Sequence, residues 1–475
     1  MSSDYTTTIS QIAEVYDGPH ATPKKTDIGP YFLSISSLTK GALDLSQSAH
    51  LSEDEFKKWT KRVTPREGDV LFSYETRLGE AALMPSGIRA CLGRRMGLLR
   101  PDRSKVIPEY LLYAYLAPEF QSNIEQRKIH GATVDRIALK ELPYFPIRIP
   151  TLEEQNQVVR VLSSLDSKTQ LNHQTNQTLE QMAQAIFKSW FVNFEPVRAK
   201  IAILEAGGSE GDALLSAMQT ISGKDEEQLT RLQNEQPEQY AELRTTAELF
   251  PSAMRDSDLG EIPEGWSIEP FSAIARLDTT SVKPAQEPEK VWEHYSIPAF
   301  DEGTSPAYDT GDEIKSNKYK VYPTAILSSK LNPHFPRTWV PDIQNSDAAI
   351  CSTEFMQFVP LEPQQRAFIA GMITSEPFQS GILMRVTGST GSRQRAQPKQ
   401  VAAVNVVLPS NELRESYSRR TDAMYSMQSK NIWQAQSLAG LRDALLPRLL
   451  AGELSVGVTE DQRAKEELVP QQEVN

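Results

Sequence analysis

Two cysteines in 475 residues cannot build a disulfide framework, which fits a reducing cytoplasm. The six histidines, His20, His50, His130, His173, His294 and His334, are scattered, and none stands at metal-ligand spacing from a cysteine or another histidine. No apolar run approaches the ~18 residues of a membrane span, and the opening MSSDYTTTIS lacks the basic and apolar regions of a signal peptide. Gly388-Ser-Thr-Gly391-Ser has no lysine for a phosphate loop and reads as a turn. Asn332-Pro333-His334-Phe335 departs at its third position from the Asn-Pro-Pro-aromatic sequence of amino-methyltransferases, and no Gly-rich cofactor strand precedes it. Pro341-Asp342 is not followed by the acidic-x-Lys pair of a metal-dependent nuclease. A chain this long without a catalytic constellation points to recognition or assembly.

With 39% hydrophobic and 24% charged residues, the composition is that of a globular protein, and the length predicts several domains. The net charge of −12 argues at first against nucleic acid. However, residues 206–265 carry 13 acidic and 4 basic side chains, a net −9, and the larger blocks on either side are near neutral. A near-neutral block can still present one basic face, so bulk charge does not decide the partner.

What is present is a helix and a repeat. Residues 152–191 contain neither Pro nor Gly. Val158, Leu162, Leu165, Thr169, Asn172, Asn176, Leu179, Ala183, Ile186 and Trp190 are spaced alternately four and three apart, the seam of a coiled coil about 58 Å long. A long amphipathic helix packed on any neighbour would show a similar pattern. The pattern returns 259 residues later, where Leu165 meets Met424, Asn172 Asn431, Leu179 Leu438, Met182 Leu441 and Ile186 Leu445. Leu162 and Trp190 complete the positions expected at the helix or subunit interface. Gly440 is expected to interrupt the second helix.

Upstream, Ile9–Val15 is echoed by Phe271–Leu277, Leu33-Ser34-Ile35 by Tyr295-Ser296-Ile297, and Val70–Ser73 by Ala325–Ser328. Cys91 matches Cys351 and Met96 matches Met356, in strand-like runs ending at Pro101 and Pro360; both cysteines read as core thiols. Lys140–Pro150 matches Lys399–Pro409 without a gap. Ordered matches at offsets of 255 to 262 indicate a tandem duplication. The fold class is α+β: two mixed α/β domains, each followed by a long helix, the two helices pairing antiparallel. Clean β-α-β alternation is missing, which excludes a dinucleotide-binding layout. The predicted segments are 1–150 and 266–409 (domains), 151–199 and 410–454 (helical regions), 200–265 (acidic connector) and 455–475 (polar tail).

Loops after equivalent strands are the natural recognition surface of such scaffolds. In the first copy these carry Arg77, Arg94, Arg95, His130, Thr133 and Arg136; in the second, Lys330, Asn332, Arg385, Arg393 and Arg395. Arginine and lysine neutralise phosphates or pair with guanine edges, and asparagine pairs with adenine. Ordinary solvated loops would show the same residue types.

Several stretches resemble the specificity subunit of type I restriction–modification enzymes. These are Ile149-Pro150-Thr-Leu-Glu-Glu-Gln155, Leu179-Glu-Gln-Met-Ala-Gln-Ala-Ile-Phe-Lys-Ser-Trp-Phe191 with Phe194-Glu-Pro-Val-Arg198, Leu259-Gly-Glu-Ile-Pro-Glu-Gly-Trp266, and Leu445-Leu-Pro-Arg-Leu-Leu-Ala-Gly-Glu-Leu454. The resemblance spans roughly residues 5–455, although Pro409-Ser-Asn-Glu-Leu-Arg414 departs from the usual Glu-Gln ending. It implies a non-catalytic subunit in which each domain reads one half of a split, asymmetric duplex DNA site. The helices would set the gap between half-sites. Two methyltransferase subunits, and in some systems two restriction–translocase subunits, would dock on it. S-adenosylmethionine, ATP and magnesium would belong to those partners, with none in this chain. The competing expectations are a self-contained methyltransferase or nuclease with diverged motifs, and a coiled-coil scaffold without DNA specificity.

Overall fold

The computed structural model describes residues 5–39, 41–131, 134–387 and 394–454. It divides into two compact units, one formed by the chain up to Thr169 together with the chain from Gln436 onward, the other by Gln170–Ala435. Leu152–Phe191 and Asn411–Leu450 are continuous helices of 40 residues each, and each belongs partly to both units. Thr151 starts the first: its hydroxyl accepts from the Glu154 amide while Glu154 accepts from the Thr151 amide and hydroxyl, a reciprocal capping box. Ser410 accepts from the Leu413 amide at the matching start of the second.

In the first unit an antiparallel sheet runs in the order Ala13–Asp17, Met96–Pro101, Val70–Ser73, Ala81–Leu83. A three-stranded sheet, Ala49–Leu51, Lys25–Phe32, Ala90–Cys91, lies beside it in the chain, its last pair parallel. Helices Pro108–Leu116 and Pro118–Arg127 each begin with a proline, whose missing amide costs nothing in a first turn. Their apolar faces join Phe145, Val158, Leu162, Leu446, Leu449 and Leu450 in one core.

The second unit repeats the order: Ala275–Asp278, Phe355–Pro360, Ile326–Ser329, Thr338–Trp339. Helices Arg366–Thr374 and Glu376–Leu383 take the places of the earlier pair. Gln121 and Gln379, one in each copy, donate from Nε2 to the carbonyls of Tyr115 and Ile373. A five-stranded sheet replaces the three-stranded one, again with a parallel pair, Val291–Tyr295 with Ala349–Cys351. The acidic stretch folds into four helices, Glu195–Glu205, Glu210–Ser222, Glu226–Glu235 and Pro237–Glu248. Ala217, Met218, Ile221, Leu229, Leu243 and Ala247 from these helices join the unit's main core. Its charge faces water because its apolar residues face inward.

The register of the repeat differs by one residue from the sequence match. Ser329, not Ser328, is the counterpart of Ser73, since each hydroxyl donates to the carbonyl two residues on; Met96 then pairs with Ser73 as Phe355 pairs with Ser329, and Phe32 pairs with Cys91 as His294 pairs with Ile350. Leu92, not Cys91, is therefore the counterpart of Cys351, and Phe355 rather than Met356 that of Met96. A shift of one position moves a side chain to the opposite face of a strand. Accordingly Cys91 packs with Phe32, Leu51 and Phe56, whereas Cys351 packs with Tyr295, Trp339 and Phe355. Both thiols are buried and free, and burial pushes each up to about 12.

The long helices pair antiparallel within each unit. In the first unit Asp166 meets Arg442 at 3.1 Å and accepts from the Tyr113 hydroxyl at 2.7 Å. In the second, Asn172 Nδ2 donates to Gln434 Oε1 (2.9 Å) and to the Asn431 carbonyl (3.4 Å), and Asn431 Nδ2 donates to Asn176 Oδ1 (2.8 Å). Gln428 and Asn176 exchange side-chain-to-carbonyl bonds at 3.0 and 3.1 Å. Tyr417 donates to the Ala183 carbonyl, and Trp190 is buried against Tyr417 and Phe250. Leu162 is buried; Leu165, Leu179, Ile186, Met424, Leu438 and Leu445 are partly buried. Two expectations are corrected. Gly440 does not break its helix, which runs on to Leu450. Leu441, expected at the helix or subunit interface, and its match Met182 are exposed, at 48% and 47%, each one residue before a seam position, Arg442 and the buried Ala183; Leu446, Leu449 and Leu450 lie on the buried side.

Candidate nucleic-acid interface

In the first unit three loops close on one another through the main chain. The Tyr74 amide donates to the Arg95 carbonyl (3.1 Å), the Ile137 amide to the Tyr74 carbonyl (2.8 Å) and the Thr76 amide to the Asp135 carbonyl (3.3 Å). Ile129 and Arg136 exchange amide–carbonyl bonds. The Ser73 hydroxyl, at the strand end, donates to the Glu75 carbonyl. Thr76 and Arg95 adopt left-handed φ values of 76° and 72°, a conformation that costs non-glycine residues energy and gathers at functional turns.

The junction gathers Arg94, Arg95, Arg136 and Lys140 around a cleft of about 450 Å³, beside Tyr74 and Glu75. Arg95 Nε lies 3.2 Å from Glu75 Oε1, and its Nη1 donates to Thr76 Oγ1. Arg77 reaches Glu80 at 3.3 Å and the Ile35 carbonyl, apart from the cleft. His130 is exposed and contacts Asp135 at 3.1 Å. Lys128, then His130, hold the Asp135 carboxyl below the usual carboxylate range. Arg94 and Arg136 are exposed and have no acidic partner among the described residues. Thr133 lies outside the described residues.

The second unit builds the same junction with other side chains. The Lys330 amide donates to the Glu354 carbonyl, the Ala396 amide to the Lys330 carbonyl and the Asn332 amide to the Gln394 carbonyl, at 2.9, 2.9 and 3.0 Å. The Ser329 hydroxyl donates to the Leu331 carbonyl, and Asn332 is left-handed with φ 48°. Tyr74, Thr76, Arg95, Asp135 and Arg136 thus correspond to Lys330, Asn332, Glu354, Gln394 and Arg395. Glu354 takes Arg395 in a two-pronged pair, to Nε at 3.0 Å and to Nη2 at 3.0 Å, which raises the guanidinium pKa. Arg385 is not at the junction: its Nη1 donates to the Gly381 carbonyl, and it lines a separate, largely apolar cavity of about 720 Å³. Arg393 lies outside the described residues. Glu354 and Gln394 were missed in the sequence, because only main-chain bonding reveals which loop positions correspond.

Among the described residues, no three of His, Cys, Asp and Glu gather as metal ligands, and no helix is long and apolar enough to cross a membrane. The chain is thus a duplicated, loop-bearing α+β domain, each copy followed by a 40-residue helix. The family model for the type I restriction modification DNA specificity domain matches residues 6–181. The chain is 27% identical over 419 residues to the type I restriction enzyme HindI specificity subunit of Haemophilus influenzae, covering 82% of this chain and 87% of that one. It is 26% identical over 196 residues to the putative type I restriction enzyme MjaX specificity subunit of Methanocaldococcus jannaschii, covering 38% and 44%. The solved S subunit of a type I restriction–modification system from M. genitalium aligns over 94% of this chain and 95% of that one, with 14% identity and a TM-score of 0.49. Residues 6–181 thus resemble a type I restriction modification DNA specificity domain, and over most of its length the chain is similar to a type I specificity subunit.

Proposed function

We propose that this chain is the DNA-reading subunit of a type I restriction–modification complex and performs no chemistry itself. Each unit reads one half of a split, asymmetric duplex site through its three-loop junction. Two methyltransferase subunits, supplying S-adenosylmethionine chemistry at adenine, dock on it. Restriction–translocase subunits, with ATP and magnesium, complete those systems that also cleave.

One observation carries the reading. The two junctions share a main-chain frame yet present different side chains, Tyr74, Thr76, Arg95 and Arg136 against Lys330, Asn332, Glu354 and Arg395. Two different reading heads on one chain suit an asymmetric site, whereas identical heads suit a palindrome. Arginine and asparagine at such positions are the usual partners of guanine and adenine edges.

Co-expression with a methyltransferase subunit in a methylation-free host, followed by single-molecule sequencing for N6-methyladenine, tests this. The expected outcome is one split, asymmetric motif methylated on both strands. A stable complex that leaves adenine unmodified sinks the DNA-reading role and favours a bare scaffold. Calorimetric binding of S-adenosylmethionine by the isolated chain would instead favour a self-contained methyltransferase.

A further inference from the structure

The same junction holds opposite charges in the two units. Where the first has Arg95 before its strand, the second has Glu354, and this carboxylate binds Arg395 by two prongs, to Nε and Nη2. In the first unit Arg136, the counterpart of Arg395, has no acidic partner among the described residues. The Glu354–Arg395 pair is too exposed, at 27% and 44% of the two side chains, to contribute much to stability. The loops are in any case already closed by main-chain bonds from Lys330, Asn332 and Ala396. What a two-pronged contact does fix is the plane of the guanidinium.

With Nε and Nη2 engaged by the acid, the guanidinium keeps its other edge, bounded by the two Nη groups, for a second planar partner. The carboxylate also disfavours a phosphate at this arginine by like-charge repulsion, which leaves the uncharged base edges as the favoured target. Guanine presents O6 and N7 as two adjacent acceptors in the major groove, a spacing that the free edge of an arginine matches.

We propose that Glu354 is a positioning residue for specificity: it orients Arg395 to read a guanine in the half-site served by the second unit. This rests on the DNA-reading function proposed above. The half-site that changes when residues 270–400 are exchanged therefore contains a G·C pair recognised through Arg395.

The test compares the methylated motif of the full chain, co-expressed with its methyltransferase subunit, for the wild type, Glu354→Ala, Glu354→Gln and Arg395→Lys. Glu354→Ala and Arg395→Lys are expected to lower the preference for guanine at one position of one half-site by about tenfold or more, with the other half-site unchanged. Glu354→Gln, which keeps one acceptor, is expected to retain part of that preference. A motif unaltered by both Glu354→Ala and Arg395→Lys overturns the proposal, as does loss spread evenly over all positions. If Glu354→Ala fails to fold in a thermal melt, Arg395→Lys carries the test, because lysine keeps the charge and loses the planar fork. A wild type that yields no split motif defeats the DNA-reading function itself, a result distinct from an unaltered motif in the variants.

Discussion

Asn172 shows what single polar side chains do in this chain. It is buried between helices and bonds both Gln434 and the Asn431 carbonyl, and a lone buried amide in a helical seam fixes register at some cost in stability. Asn172→Ala is expected to destabilise the fold by about 1–3 kcal/mol, because the buried Asn431 carbonyl loses a donor; urea unfolding measures it. His294 gives a pH dependence. Burial lowers its pKa against the opposing pull of Asp309 at 2.7 Å, so the folded state takes up its proton later than the unfolded chain. The contribution is complete above the ordinary histidine value of about 6.5 and is lost as pH falls below it. Thermal melts should show less loss between pH 7 and pH 5 for His294→Gln than for the wild type. The thiols of Cys91 and Cys351, raised to about 12 by burial, should resist a thiol reagent at pH 7.5 until denaturant is added. Their presence in the core was legible in the sequence. Their exact counterparts were not, since similar apolar residues one apart on a strand look alike until pairing shows which face each takes.

Among the elements, both long helices were readable from spacing alone. The repeat match placed Leu441 opposite Met182 and at the interface, yet both lie one residue before a seam position and are exposed. Gly440 carried a local signal for a break that the surrounding helix formers and the packing of Leu446, Leu449 and Leu450 overrule. If the helix pair sets the distance between half-sites, removing the matched heptads Leu165–Leu171 and Met424–Lys430 should shorten the gap by about 10 Å, roughly three base pairs. The methylated motif reports this directly, and an unchanged gap refutes the spacer role.

For the molecule as a whole, the tandem repeat was legible because weak matches kept a common order. The helical packing of the acidic stretch was not, because its apolar residues are sparse and their partners lie elsewhere in the chain, in Phe187, Trp190 and Tyr417. The candidate interface was legible as a set of loops but not as a set of correspondences. Exchanging residues 270–400 for those of a relative should alter one half of the methylated motif and leave the other intact. A change in both halves would show that the two units do not read independently.

The junctions have one further consequence. Each is closed by amide–carbonyl bonds at Tyr74, Thr76 and Ile137, or at Lys330, Asn332 and Ala396, so its shape depends little on which side chains it displays. Replacements at Arg94 or Arg136, and at Lys330 or Arg395, all away from the packed cores, are expected to be nearly neutral for folding while they change the chemistry of the surface. If these surfaces read DNA as proposed, the target can change by such replacements without the fold passing through an unstable intermediate.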